Sequence, residues 1–257
     1  INKIAKEHNL FVIEDAAEAH GAKINKRKVG SFGIISAWSF FVAHNMTTGE
    51  GGMVNTNNPE LYYILRSIRE FGRLLDVDPS MERFGYNDNY LKDYDERYVF
   101  ENIGYNVRMT DIAASLGIEQ LKKLDKLNNI RVKNANKYIS KMDKHNKYLI
   151  MPKTPKGYFH SFYGFTILVS EDAPFKRKDI ITYLEKNNIE TRAFMGGNLS
   201  IQPAYRDFGF RVSDKLKNTD LLTKNAFFIG SHPFLDDNAL NFVAEKVDSF
   251  INKYVNT

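Results

Sequence analysis

Three short segments hold most of the side chains able to do chemistry: IEDAAEAHG at 13–21, SFFVAHNMTTGEGG at 39–52 and IGYNVRMTD at 103–111. Asp15 ends an apolar run, LFVIEDA, that is typical of a buried parallel strand. Open α/β sheets bind ligands at the carboxyl ends of such strands, where a carboxylate can keep a ring nitrogen protonated through a charge-assisted hydrogen bond. The same aspartate can also cap a following helix, and the pattern alone leaves both roles open.

The second segment places a histidine inside a glycine-rich turn. Ser39 lies near the end of a second apolar run, IISAWSFFVA, where its hydroxyl can donate to a phosphate. Gly49, Gly51 and Gly52 permit positive φ and close approach of the backbone, although GEGG by itself predicts only a tight turn. His44 lies between them, and an imidazole can act as a general acid or base near neutral pH. The alternative is an inert loop histidine, or one left in an enzyme that has lost its activity.

Composition narrows the class of protein. The 257 residues contain no cysteine, which excludes disulfides, thiolate zinc sites, cysteine-held iron–sulfur clusters and cysteine nucleophiles in this sequence, and we expect no metal site. The net charge of +5 comes from lysines and acids that interleave along the chain, a pattern typical of solvated helix faces rather than of a nucleic-acid surface. No run of 18 apolar residues predicts a membrane span. We therefore expect a cytoplasmic protein with no nucleic-acid or membrane partner.

The hydrophobic pattern predicts an α/β domain followed by a smaller α+β domain. Short apolar runs alternate with helical segments over 1–135, which favours a domain with a mainly parallel sheet. The composition changes after this part of the chain, and the pattern over 136–257 predicts a small α+β domain. A helix is expected over about 59–71, and two helices over 109–142. Residues 74–104 have no clear period and are predicted to form a long functional loop.

Taken together, the three segments resemble the DegT/DnrJ/EryC1/StrS family of sugar aminotransferases, enzymes of fold type I that use pyridoxal phosphate. The resemblance also extends through GNLSIQPAYR and FIGSHPFLD near the C-terminus. It implies that Asp15 contacts the pyridine nitrogen, that Glu18 lies near the cofactor ring, and that Ser39 contacts the phosphate. It further implies that Asn106 reaches the phosphate across a dimer interface, so we expect a homodimer with the site at the interface.

One residue departs from the aminotransferase pattern of this family. Where the aminotransferases carry a lysine that bonds the cofactor and shuttles protons, this sequence has His44, and no lysine occurs between Lys28 and Lys92. An imidazole forms no stable imine, but it can still act as a general base. The resemblance is therefore to the histidine-bearing branch, the nucleotide-sugar 3-dehydratases.

That branch implies a specific reaction and specific ligands. The expected reaction removes the C3 hydroxyl of GDP-4-keto-6-deoxymannose with pyridoxamine phosphate, which L-glutamate regenerates, in deoxysugar and lipopolysaccharide biosynthesis. A related branch acts on CDP-sugars with a cysteine-held iron–sulfur cluster, and the absence of cysteine excludes that chemistry in this sequence. Two alternatives stay open: a sugar 4-aminotransferase such as a perosamine synthase, and a degenerate homologue without catalysis.

Three further residues are candidates for substrate contacts. Arg192 in ETR can bind an anion, Asn198 in GNLSIQPAYR can lie near the sugar, and His232 in GSHP can face the substrate. Each can equally do no more than order its loop. His20 and His160 are expected to be structural.

The start of the sequence also differs from the family pattern. The chain opens inside a helical segment without an initiator methionine. The resemblance implies a preceding stretch with a phosphate-binding turn and an aromatic residue that stacks on the cofactor ring. We therefore expect that the N-terminal part of the protein is missing from this sequence.

Overall fold

The computed structural model describes residues 1–73 and 94–255. Backbone contacts divide the chain into two compact units, 1–124 and 125–257. The predicted division after residue 135 lies inside the same long helix as this boundary and stays a prediction. Of the predicted functional loop over 74–104, residues 74–93 lie outside the described part of the chain.

The first unit contains a short N-terminal helix, five strands and the helix that follows them. In chain order these elements are α1 (Asn2–Glu7), β1 (Ile13–Asp15), β2 (Lys23–Ile24), β3 (Arg27–Lys28), β4 (Ile35–Ser39), β5 (Gly52–Thr56) and α2 (Pro59–Arg69). Asn58 caps α2, because its side chain accepts a hydrogen bond from the backbone N–H of Leu61, and Pro59 fits the first helical position. Helix α2 ends two residues before the predicted end, at Arg69.

The sheet of the first unit has the strand order β1-β4-β5. Strand β1 runs parallel to β4 with Asp15 opposite Ala37, whereas β4 runs antiparallel to β5 with Ser39 opposite Gly52. The carboxyl ends of β1 and β4 and the start of β5 therefore meet at one edge of the sheet. The described part of the sheet has one parallel and one antiparallel pairing, and the α/β character of the prediction is confirmed.

A long helix and a small α+β domain complete the chain. The elements are α3 (Asp111–Met142), β6 (Leu149–Ile150), β7 (Tyr158–Phe159), β8 (Gly164–Val169), α4 (Arg177–Lys186), β9 (Thr191–Ala193), α5 (Lys217–Asn225), β10 (Ala226–Gly230) and α6 (Asp237–Val255). The prediction of two helices over 109–142 is wrong, because α3 is continuous over 32 residues. Buried residues at helical spacing, Ala135, Tyr138 and Met142, pack its C-terminal turns into the core of the second unit.

The second unit has an antiparallel sheet of order β6-β8-β10-β9, which confirms the predicted small α+β domain. Strand β8 alternates as a half-buried strand should, with Phe165, Ile167 and Val169 buried. These side chains pack with residues of α4 and α6, including Leu184 and Val247. Within the described ranges, no helix is both long and apolar enough to cross a membrane.

Strand β1 is parallel as predicted, but it is exposed at Ile13 and Asp15 and not buried. Its partly buried residue Glu14 ties the strand to the following loop. The two carboxylate oxygens of Glu14 accept backbone N–H groups from Gly30 at 2.7 Å, Phe32 at 2.5 Å and Gly33 at 2.6 Å. Gly30 has φ +82°, and a Cβ there would lie 2.1 Å from the Trp38 ring, so the loop needs glycine at that position. Because side chains alternate along a strand, Glu14 on one face leaves its neighbour Asp15 on the other.

We expect Glu14→Gln to destabilise the protein by about 2–3 kcal/mol. Hydrogen bonds to a charged acceptor contribute about 1.5–3 kcal/mol each, and the NH₂ group of glutamine would face at least one backbone N–H donor without accepting from it. Urea unfolding measures the change. The control is Glu7→Gln, which removes one member of an exposed Lys3–Glu7 pair at 4.0 Å and should change stability by less than about 0.5 kcal/mol. Equal stability of the two variants would contradict a structural role for Glu14.

Candidate active site

Asp15 presents a carboxylate at the carboxyl end of β1. The residue is exposed, and its Oδ1 accepts a hydrogen bond from the backbone N–H of Ala17 at 3.1 Å. Residues 16–22 form turns rather than a helix, so Asp15 does not cap a helix. The capping alternative is thereby removed, and the exposed carboxylate lies at the edge of the sheet where the sequence predicts a ligand.

His44 lies in the turn that connects β4 to β5. The backbone N–H of His44 donates to the carbonyl of Phe41 at 3.0 Å, and that of Thr48 donates to the carbonyl of Phe40 at 3.0 Å, which closes the turn. The Phe41 ring meets the imidazole edge-on with 5.6 Å between ring centroids. Hydrogen bonds within the turn therefore fix the backbone position of His44, and the Phe41 ring contacts its side chain.

The two ring nitrogens of His44 face different partners. Nδ1 lies 3.3 Å from the backbone oxygen of Ser39, and Nε2 lies 3.5 Å from Oε1 of Glu18. The pairing of Glu18 with His44 was not predicted, because the two residues are far apart in sequence and no short motif joins them. Turn geometry alone brings the imidazole back toward the residues that follow β1.

Glu18 belongs to a small cluster of ionisable groups. Burial raises the pKa of the Glu18 carboxyl, the neighbouring His44 lowers it through charge and a hydrogen bond, and Asp15 raises it through like-charge repulsion. The net pKa lies above the usual value for glutamate. Asp15, Glu18 and His44, predicted separately as site residues, thus lie within electrostatic range of one another.

Ser39 and the glycines shape the rest of the turn. The Ser39 Oγ accepts a hydrogen bond from the backbone N–H of Phe41 at 3.3 Å, so its own proton can be donated elsewhere. Gly51 has φ +151°, and a Cβ there would lie 2.5 Å from Oγ1 of Thr48, so the turn needs glycine at that position. The glycine-rich segment is therefore required for the chain reversal, and the role of Ser39 toward a phosphate stays a prediction.

Asn106 lies in a segment that is fixed against the end of α2. The backbone N–H of Phe71 donates to the carbonyl of Tyr105 at 2.9 Å, and that of Tyr105 donates to the carbonyl of Ile68 at 2.7 Å. Asn106 forms an isolated bridge with Glu70 and is exposed. An exposed side chain on a fixed backbone suits a contact with a second molecule, and its predicted role across a dimer interface stays a prediction.

The three substrate candidates lie in the second unit. Arg192 is exposed and forms an ion pair with Glu190. The carbonyl of His232 accepts a hydrogen bond from Nδ2 of Asn134 at 2.9 Å, and burial together with nearby Arg131 lowers the pKa of its imidazole. These are the contacts that the structure gives for Arg192 and His232, and the roles of the two residues toward a substrate stay predictions.

The hydrogen bonds of Asn198 tie its loop to helix α5. The residue is 4% exposed; its Nδ2 donates to Oδ1 of Asp220 at 2.7 Å, and its Oδ1 accepts from the backbone N–H of Ser200 at 3.0 Å. Its own backbone N–H donates to Oγ1 of Thr223 at 2.8 Å. In this structure Asn198 orders the loop of GNLSIQPAYR, and its predicted contact with the sugar stays a prediction.

Comparison with known proteins identifies the family of this chain. A sequence model of the DegT/DnrJ/EryC1/StrS aminotransferase family matches residues 1–248. The chain belongs to this family. Its relatives include dTDP-4-dehydro-2,6-dideoxy-D-glucose 3-dehydratase from Saccharopolyspora spinosa, 36% identical over 98% of this chain and 56% of the relative. They also include GDP-perosamine synthase from Vibrio cholerae, 27% identical over 98% of this chain and 62% of the relative.

A solved structure of a family member supports the fold directly. The structure of GDP-4-keto-6-deoxy-D-mannose-3-dehydratase from E. coli with bound hydrated PLP aligns with a TM-score of 0.85 and 30% identity, over 95% of this chain and 62% of that chain. The predicted fold, that of the pyridoxal-phosphate transferases, is confirmed. The chain spans about three fifths of the length of these DegT/DnrJ/EryC1/StrS relatives.

His20 provides a test of the site's electrostatics. The residue is 3% exposed and packs against the Trp38 ring at 5.2 Å and the Phe40 ring at 5.9 Å. Burial, with a smaller contribution from His44, lowers the pKa of His20 to about 4. The folded protein thus keeps His20 neutral at pH values where the unfolded chain, with a pKa near 6.5, takes up a proton.

We expect the wild type to lose about 2 kcal/mol more stability than His20→Phe when the pH falls from 7 to 5, because protons bind the unfolded state more strongly over that range. The loss should begin near pH 6.5 and level off near pH 4, while phenylalanine retains the ring packing. Urea unfolding of both proteins across this range measures the difference. Parallel pH profiles would show that His20 is not held neutral.

Proposed function

We propose that this chain is part of a nucleotide-sugar 3-dehydratase that uses pyridoxal and pyridoxamine phosphate and removes the C3 hydroxyl of GDP-4-keto-6-deoxymannose. The observation that carries the proposal is His44. By resemblance it takes the place of the aminotransferase lysine, and in the fold it lies beside Glu18 with Asp15 nearby. Because an imidazole forms no stable imine but moves protons readily, the site is suited to acid–base chemistry without a covalent link to the protein.

Pyridoxal phosphate fits the groups at the sheet edge. The exposed Asp15 carboxylate can hold a protonated ring nitrogen, and the hydroxyl of Ser39 retains a proton for a phosphate oxygen. Asp15 and Glu18 repel each other, so a positively charged group bound near them would relieve the repulsion. Family membership and the PLP-bound relative support the same cofactor.

His44 moves the proton in the proposed reaction. When bound, the aminated cofactor supplies a temporary bond to the sugar's C4 carbon and an electron sink for loss of the C3 hydroxyl. The Ser39 carbonyl can only accept a hydrogen bond, so it favours the proton on Nδ1 of His44 and leaves the Nε2 lone pair as the base. Nε2 accepts the proton that the reaction releases, and the departing C3 hydroxyl takes up a proton as it leaves.

The remaining ligands follow from the family and its relatives. L-glutamate is proposed as the amino donor and a homodimer as the assembly, with Asn106 of one subunit contacting the phosphate held by the other. A cytoplasmic location and a place in deoxysugar biosynthesis are part of the same proposal. Relatives named for dTDP- and GDP-sugars both match this chain, so the nucleotide is an explicit variable of the test.

Product analysis distinguishes the dehydratase from its alternatives. The full-length protein is incubated with pyridoxal phosphate, L-glutamate and GDP-4-keto-6-deoxymannose, with the dTDP-linked 4-keto-6-deoxyglucose in a parallel reaction. Release of a 3-deoxy sugar with the GDP substrate supports the proposal, and a preference for the dTDP substrate overturns the assignment of the GDP-sugar substrate but not the dehydratase reaction. A stable 4-amino sugar as the main product would establish an aminotransferase instead. Absence of both turnover and any cofactor absorbance band would indicate a non-catalytic homologue.

His44→Asn should retain the cofactor and lose most of the dehydration activity. General acid–base groups contribute about 10²–10⁴-fold to rate, so release of the 3-deoxy sugar should fall within that range. The cofactor absorbance titration should change by no more than a few-fold, because Asp15 and Ser39 are intact. His8→Asn, which alters an exposed histidine after α1, is the control and should turn over like the wild type. If His44→Asn dehydrates as fast as the wild type, His44 is not the base.

His44→Lys should change the chemistry and not only its rate. The substitution restores an amine beside the cofactor aldehyde, so a covalent bond with its own visible absorbance should form. The lysine can protonate the reacting carbon before the hydroxyl departs, so dehydration should fall and some 4-amino product should appear. His8→Lys serves as the matched control. Unchanged dehydration with no new absorbance band would contradict the placement of residue 44 beside the cofactor.

A further inference from the structure

The two nitrogens of His44 are not equivalent. Nδ1 lies 3.3 Å from the backbone oxygen of Ser39, a group that cannot donate, so the neutral imidazole is expected to carry its proton on Nδ1. Nε2, the nitrogen that exchanges protons, lies 3.5 Å from Oε1 of Glu18. Hydrogen bonds between catalytic groups are often long in ligand-free proteins and shorten in the complex, so this distance suits a partner for proton transfer.

The difference in solvent exposure between His44 and Glu18 suits the transfer of a proton from one to the other. The side chain of His44 is 11% exposed and that of Glu18 is 31% exposed. The imidazole is therefore shielded from water, while the carboxyl group next to it reaches the solvent. A proton taken up by Nε2 can leave the shielded position through Glu18.

The surroundings of Glu18 favour the protonated form of its carboxyl group. The groups that act on it are His44 and Asp15, and His20 in turn lies close to His44. Burial is the largest influence on the pKa of Glu18, and together with the Asp15 charge it raises that pKa above its usual value despite the lowering by His44. Glu18 accordingly takes up a proton more readily than an exposed glutamate does.

We propose that Glu18 is the proton-relay partner of His44, receiving the proton from Nε2 and delivering it to water or to the departing hydroxyl. In the first step the Nε2–H bond of the imidazolium breaks and an O–H bond forms on Glu18, which leaves a neutral imidazole and a neutral carboxylic acid. In the second step the acid gives its proton to an oxygen and returns to the carboxylate. No electrons change hands, and no further reactant is needed.

The pair can be tested without any reaction. Carbon-13 NMR of the Glu18 carboxyl is recorded against pH in the cofactor-free full-length protein. His44→Gln should raise the pKa of Glu18, because it removes the charge that lowers it, and Asp15→Asn should lower it, because it removes the charge that raises it. His8→Gln is the control and should leave the titration unchanged. A Glu18 titration that is the same in His44→Gln and wild type overturns the proposal.

The relay also predicts a change in the pH dependence of turnover, which rests on the proposed dehydratase function. Glu18→Gln should bind the cofactor normally, turn over about 10²-fold more slowly, and lose the decline in rate at low pH that follows protonation of Glu18. Glu18→Asp, which keeps a carboxylate, should recover part of the rate. Glu50→Gln removes an exposed carboxylate from the turn between β4 and β5 that holds His44, and it should behave as wild type.

Two results of the Glu18 variants would overturn the relay. If Glu18→Gln retains the low-pH decline, or stays within about threefold of the wild-type rate, the relay is overturned. If Glu18→Gln loses the cofactor and Glu18→Asp does not restore rate once the cofactor is saturating, Glu18 holds the cofactor and the relay is again overturned. If the wild type releases no 3-deoxy sugar, the proposed function fails, whereas the NMR titration still decides the pairing by itself.

Discussion

The parallel pairing of β1 with β4 is the constraint on which the site depends. It sets Asp15 opposite Ala37, two residues before Ser39, so the ends of both strands lie at one edge. Because side chains alternate along a strand, a shift of one residue in this register would turn Asp15 to the face that Glu14 now occupies. The three backbone donors bound by Glu14 hold the register in place, and they act on the face opposite the site.

The chain reversal between β4 and β5 depends on the same edge. It brings His44 back to Glu18, although the two residues belong to different segments of the sequence. The result is a compact set of two carboxylates and one imidazole, with a neutral His20 behind them. Such a set favours a bound cationic ring and a mobile proton, and it contains no amine that could form a covalent link.

The relatives of this chain carry names of two kinds of chemistry. Names of dehydratases and of an aminotransferase both occur at similar coverage, and the fold is shared. A shared fold does not determine a shared reaction, because the reaction depends on the groups in the site. In this chain the residue between the Ser39 strand and the glycine-rich turn is His44, and the function proposed here rests on that residue.

The sequence by itself determined the α/β class, the small α+β domain, the family and the identity of the candidate residues. These depend on local pattern and on motifs, as with Asp15 after an apolar run and His44 before GEGG. It did not determine that 109–142 form one helix, whose last turns pack through Ala135, Tyr138 and Met142 against strands distant in sequence. It also left the capping role of Asp15 open, which the turn at 16–22 decided. Only the tertiary structure paired His44 with Glu18 and tied Asn198 to Asp220 of α5, since hydrogen bonds between residues distant in sequence follow from packing and leave no local signal.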